Sequence, residues 1–103
     1  MPESMPTDVE ELILRLLLAA PEPMYGLEMV KRSSGDLKRG TVYVTLQRME
    51  TKGLVSSKEE SVILPHIGIA RRLYKVTGHG ARALQALEMH RIMMSGGLLP
   101  EGA

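Results

Sequence analysis

The chain has 103 residues, 13 basic and 12 acidic, for a formal net charge of +1, and it contains no cysteine. That length fits one small domain, and 44% hydrophobic with 24% charged residues argues against a wholly disordered chain. Without cysteine there are no disulfide staples, no thiolate zinc sites and no cysteine nucleophile. The longest nearly unbroken apolar stretch, Leu12 to Ala20, contains Arg15 and is too short to span a bilayer. Residues 1–7 lack the basic start of a secretory signal, so the expected compartment is the cytoplasm and no membrane partner is expected. Aromatic residues are three tyrosines only. A core built from Leu, Ile, Val and Met in so short a chain is small, and a partner subunit is expected to complete it.

Pro2 and Pro6 mark an extended, flexible start over residues 1–7. Thr7 and Glu10 then form a Thr-x-x-Glu capping box, with Asp8, Glu10 and Glu11 in a favourable first turn. Val9, Leu12, Ile13, Leu16, Leu17 and Ala20 recur at helical spacing, while Leu14 and Leu18 form a second apolar strip. A helix this widely apolar is buried on two sides, and the second side is expected to face another subunit. Pro21 and Pro23 end it. Tyr25 and Gly26 open a shorter helix with Leu27 and Val30, and Met29 as a further candidate, turned inward; Ser33, Ser34 and Gly35 break it. Leu37 is an isolated apolar anchor.

A third helix is expected from about Arg39 to Lys52, with Val42, Leu46 and Met49 facing the core and Gly53 closing it from the left-handed position. Leu54 to Glu60 reads as a strand, Ser61 to Ile69 as a loop, and Arg71 to Val76 as a second strand, together an open-tipped hairpin. Thr77 caps a last helix from about Gly78 to Met94. Ala81, Leu84, Leu87 and Met94 form its main apolar stripe, and residues 95–103 are expected to be a flexible tail.

Charge is polarised along the chain. Residues 1–30 hold six acidic groups against one basic, whereas residues 31–75 hold ten basic against four acidic. A basic middle segment suits a polyanion.

The order helix, helix, helix, strand, strand, helix is the winged helix-turn-helix plan, an α+β and mostly α architecture. Residues 8–77 would form the DNA-binding domain and residues 78–94 a dimerisation helix. On the third helix, Thr41, Val44, Thr45, Gln47 and Arg48 are expected outside. These side chains suit base edges, thymine methyls and phosphates in a major groove, with Lys38 and Arg39 on the flanking backbone. Tyr43 is a further candidate phosphate donor. In the wing, Arg71 and Arg72 alternate across the strand, so one is expected to reach phosphate or a minor groove and the other to form a surface ion pair. Lys58 joins the phosphate-facing set. Tyr25 is read as structural, and Tyr74 as packing inside the wing.

Several segments resemble PadR-type transcriptional regulators. The run Pro23-Met24-Tyr25-Gly26-Leu27-Glu28-Met29-Val30-Lys31-Arg32 is similar to the family's second helix. Gly40-Thr41-Val42-Tyr43, Leu46-Gln47-Arg48-Met49-Glu50 and Lys52-Gly53-Leu54-Val55 follow in the family's order. Ala70-Arg71-Arg72-Leu73-Tyr74-Lys75-Val76-Thr77, then Gly80, resembles its wing exit. The likeness spans about residues 9–88. It implies a homodimeric, usually repressing regulator of double-stranded DNA, and a two-fold dimer is expected to read a pseudo-palindromic operator. It also implies a dimer built by the first and last helices, here through Leu14, Leu18, Leu84, Leu87 and Met94. Lys38 stands where members often have a capping serine, Gly78-His79 where an acidic residue is common, and no Trp or Phe is present to grip an aromatic ligand. The eight methionines leave room for a small hydrophobic effector. A second reading of the same plan is a winged helix serving as a protein–protein adaptor or anti-repressor without DNA binding.

No Ser-His-Asp set, paired carboxylates or glycine-rich phosphate loop stands out, so an enzyme is not expected. His66, His79 and His90 lack ligand spacing, so neither a metal nor another cofactor is expected.

Overall fold

The computed structural model describes residues 5–63 and 70–96. Four helices and one hairpin follow in the order α1 (Asp8–Ala19), α2 (Gly26–Arg32), α3 (Arg39–Thr51), β1 (Val55–Ile63), β2 (Ala70–Val76) and α4 (Gly78–Ser95).

Local chemistry sets most of the boundaries. At the start of α1, the Glu10 amide donates to Thr7 Oγ1 at 3.2 Å and the Thr7 amide donates to Glu10 Oε1 at 3.0 Å, a complete capping box. Met5 and Pro6, within the stretch expected to be flexible, already pack against the domain. At the end of α3, Gly53 sits at φ +80°. Its amide donates to the Glu50 carbonyl at 3.0 Å, and the Leu54 amide to the Met49 carbonyl at 2.9 Å. Those two bonds satisfy carbonyls that the helix end leaves open. Thr77 Oγ1 accepts from the Gly80 amide at 2.9 Å to start α4.

β1 and β2 are antiparallel, pairing Val55 with Val76, Ser57 with Tyr74 and Glu59 with Arg72, with an irregularity between Glu59 and Ile63. β1 runs three residues beyond the expected end at Glu60, so Ser61 to Ile63 belong to the strand and not to the loop. The expected tip at 64–69 and the tail at 97–103 lie outside the described residues. One bridge was not legible in the sequence: Met24 pairs with Tyr74 through two backbone bonds, 3.1 and 2.9 Å, tying the chain before α2 to the wing.

The core gathers Ile13, Leu14 and Leu17 from α1, Met29 from α2, Val42, Leu46 and Met49 from α3, and Leu84 and Leu87 from α4. Leu37 plugs it between α2 and α3. Leu27 was expected inward but is exposed, and Met29 takes the buried position on α2.

An ion-pair cluster joins α1 to α4. Glu11 accepts from both guanidinium nitrogens of Arg91 at 2.9 Å, and Arg15 bridges Glu11 and Glu88. The Arg91 hydrogen bonds, with Arg15 assisting, bring the Glu11 carboxyl down from 4.5 to about 2. A carboxyl with a lowered folded pKa stabilises the fold above its unfolded pKa and loses that contribution as pH falls towards the folded one. A Glu11→Gln variant is therefore expected to melt a few degrees below wild type at neutral pH. The gap should close between pH 4.5 and about 2, as thermal melts across that range would check. A gap that persists at the acid end would assign the loss to packing.

Candidate nucleic-acid interface

α3 is amphipathic in a way that creates the site. Val42, Thr45, Leu46 and Met49 dock it on the domain. Thr41, Val44, Gln47 and Arg48 stand on the outer side, all exposed, and Val44 is 58% exposed although it is apolar. Lys38 and Arg39 at the start of the helix are exposed too. Among the described residues, Lys38, Arg39, Arg48 and Lys58 form no ion pair.

Thr45 departs from expectation. It was expected outside but is buried, and its hydroxyl donates to the Thr41 carbonyl at 2.9 Å. It lies three residues after Val42 and four before Met49, so it shares their stripe. The back-bond satisfies a hydroxyl that would otherwise be stranded in the core. Tyr43 is 49% exposed. Its ring lies over Gly26, where a Cβ would come within 2.8 Å of Tyr43 Cε1. The ring thus packs on the first turn of α2.

The wing is held to the helices at two points. Tyr25 donates its hydroxyl to Glu60 Oε1 at 2.6 Å, and the Arg71 guanidinium stacks on the Tyr25 ring at 4.7 Å. The Glu60 carboxylate, then burial, pushes the Tyr25 phenol up. On the other side, Arg72 donates through Nε and Nη2 to Ser57 Oγ at 3.0 and 2.9 Å, and Ser57 donates to Glu50 of α3 at 2.7 Å. The expected surface ion pair is not what the two arginines do: among the described residues neither forms one, and both brace the wing. Lys58 is exposed on the wing with no such duty. The Tyr25–Glu60 bond links positions 35 residues apart, and no local spacing rule announces such a pair.

Of the five expected interface residues, three are already used within the protomer. Leu14, Leu84 and Leu87 belong to its own core. They sit at positions where α1 and α4 face the other helices, so the protomer buries them without a partner. Leu18 and Met94 do stand outside, 51% and 74% exposed. Met89 and Met93 join Met94 on the outer side of α4, and the i, i+4 spacing of Met89 and Met93 was legible.

A shallow recess of about 250 Å³ at the wing base is lined by residues including Leu17, Leu18, Pro21, Pro23 and Val76. No methionine lines this recess. Among the described residues no group of three or more His, Asp or Glu is placed to hold a metal, and no helix is long and apolar enough to cross a membrane.

A helix-turn-helix with an outward-facing third helix, followed by a β-wing, defines a winged-helix domain. The sequence profile described as the transcriptional regulator PadR-like family matches residues 13–86, and the chain belongs to that family. Members are DNA-binding transcription regulators, not enzymes. Solved structures agree. A PadR family transcription regulator from Clostridium difficile R20291 is 26% identical with a TM-score of 0.69, the match covering 89% of this chain and 95% of that one. A PadR-like transcription factor from Bacteroides fragilis is 28% identical with a TM-score of 0.67, covering 86% and 84%. A PadR family regulator from Eggerthella lenta is 28% identical with a TM-score of 0.63, covering 85% and 71%. No curated protein sequence matches the chain significantly.

Proposed function

We propose that the protein is a cytoplasmic, sequence-specific DNA-binding repressor acting as a homodimer. Each protomer lays the outer side of α3 in a major groove, where Gln47 and Arg48 address base edges and Val44 meets a thymine methyl. Lys38, Arg39 and Lys58 take the flanking phosphates. Leu18, Met89, Met93 and Met94 bring two protomers together, so that a two-fold pair addresses half-sites about 10 base pairs apart. Repression follows from occluding the polymerase. The observation that carries this reading is the exposed stripe of Val44, Gln47 and Arg48 beside basic groups without ion-pair partners among the described residues. An adaptor surface built for protein would be expected to be apolar or acidic there.

The test is affinity for a duplex selected from a random library, and for a scrambled duplex, at several salt concentrations. With about six to eight phosphates neutralised per dimer, log K is expected to fall against log salt with a slope of about −5 to −7. Gln47→Ala should narrow the selected-to-scrambled preference by about 1–3 kcal/mol. Lys58→Ala should weaken both duplexes alike and make the slope shallower by about one unit per lost contact in each subunit. Sedimentation of the free protein should give a dimer. Absence of DNA binding at low salt would favour the adaptor reading.

A further inference from the structure

Seven glycines are described, and five have an internal reason to be glycine. Gly35, Gly53 and Gly96 have positive φ, at Gly26 and Gly80 a Cβ would come within 2.8 and 2.0 Å of another atom, and at Gly78 it would meet only the mobile guanidinium end of Arg82 at 3.3 Å. Gly40 has no neighbour at all to require it: its φ is not in the left-handed region, and a Cβ there would meet nothing within 4 Å. It lies in the first turn of α3, where glycine is the poorest helix former after proline. The folded protomer therefore has no use for glycine at this position and is weakened by it.

Gly40 is exposed and lies on the same side of α3 as Val44, Gln47 and Arg48, four, seven and eight residues on. It is the gap in that stripe, flanked in sequence by Lys38, Arg39 and Thr41. We infer that Gly40 is a positioning residue for DNA: the missing side chain lets the sugar–phosphate backbone come into van der Waals contact with the first turn of α3, which seats Gln47 and Arg48 at their depth in the groove. The inference rests on the reading of α3 as the DNA-facing helix. A side chain at this position would hold the whole protomer away from the duplex, so its effect falls on every sequence alike and not on one base pair.

The experiment compares wild type, Gly40→Ala and Gly40→Leu, all with the full chain. It measures thermal midpoint and affinity for a random-sequence duplex and for a library-selected one. Alanine and leucine are good helix formers, so both variants should fold, with the Gly40→Ala midpoint raised by about 2–5 °C. Both duplexes should nonetheless bind Gly40→Ala about tenfold more weakly, and Gly40→Leu more weakly still. Loss of affinity together with a midpoint held or raised is the expected result. Unchanged affinity in both variants would overturn the inference while leaving the DNA-binding reading intact. A lowered midpoint in Gly40→Ala would also overturn it, because the glycine would then serve the fold. Failure of wild type to bind either duplex at low salt would remove the DNA-binding reading itself, and this inference with it.

Discussion

Gly80→Ala is expected to lower the thermal midpoint by about 15 °C or more, corresponding to about 3 kcal/mol or more. An alanine Cβ at this position would lie 2.0 Å from the Leu54 carbonyl oxygen and 2.9 Å from its carbon, with Val76 Cγ1 at 3.0 Å. The obstacle is backbone, and that backbone is not free to retreat. The Leu54 carbonyl accepts from the Thr77 amide at 3.1 Å, at the point where β2 ends and α4 begins. Moving α4 outward would pull Leu84 and Leu87 from the core, and the better helix propensity of alanine offsets little of this. Gly78→Ala is the control. Its Cβ would meet only the guanidinium end of Arg82 at 3.3 Å, which can swing aside, so its midpoint should stay near wild type. Calorimetry of the two variants decides the matter: a Gly80→Ala protein melting with wild type would show that the α4 junction is not close-packed.

Lys52→Met is expected to cost about 3 kcal/mol, a large share of the stability of a small domain. Glu10 is 0% exposed, and Lys52 Nζ donates to both its carboxylate oxygens at 3.0 Å. Removing the ammonium leaves a buried carboxylate with the Thr7 amide as its remaining donor. The figure sits at the lower end for a broken buried pair because the Lys52 side chain is itself 32% exposed. Adding Glu10→Gln to Lys52→Met should restore about half of the loss or more, since a neutral amide can keep the capping bond without a buried charge. Denaturant melts of the two single variants and the double give the coupling. Additive losses would mean that the two groups act independently. Glu10 opens α1 and Lys52 caps the end of α3, so the pair fastens the end of α3 to the first turn of α1. Under the proposed function, Lys52→Met should weaken DNA binding as well.

Element order, helix starts and the winged plan were legible because they depend on near neighbours in the chain. The Thr7–Glu10 box, the left-handed Gly53 and the Thr77 cap each close a bond within a few residues. The 3.6-residue spacing of Val42, Leu46 and Met49 points one side of α3 inward whatever lies beneath it. The exposed positions Thr41, Val44, Gln47 and Arg48 followed as the complement of that stripe. Thr45 was misplaced because its polarity outweighed its position: at the border of a stripe, burial depends on how close the neighbouring elements come, and a hydroxyl that bonds its own helix is no obstacle to it.

What the sequence by itself determined, then, is every feature set by local bonding and by period: four helices, a hairpin and an outward side on α3. The tertiary structure alone decided which of several apolar stripes the protomer uses. Leu14 and Leu18 are four residues apart on one apparent strip, yet Leu14 is in the core and Leu18 is half exposed, because the docking angles of α1 and α4 set where the stripe ends. It also decided the pairings across long separations. Glu10 meets Lys52 across 42 positions, Glu11 meets Arg91 across 80, and Tyr25 meets Glu60 across 35. Such pairs obey no periodicity, since their spacing is the length of chain that happens to lie between two packed elements. The role of Gly40 belongs to the same class: its residue type is plain in the sequence, but that no neighbour requires it is visible only once every neighbour is in place.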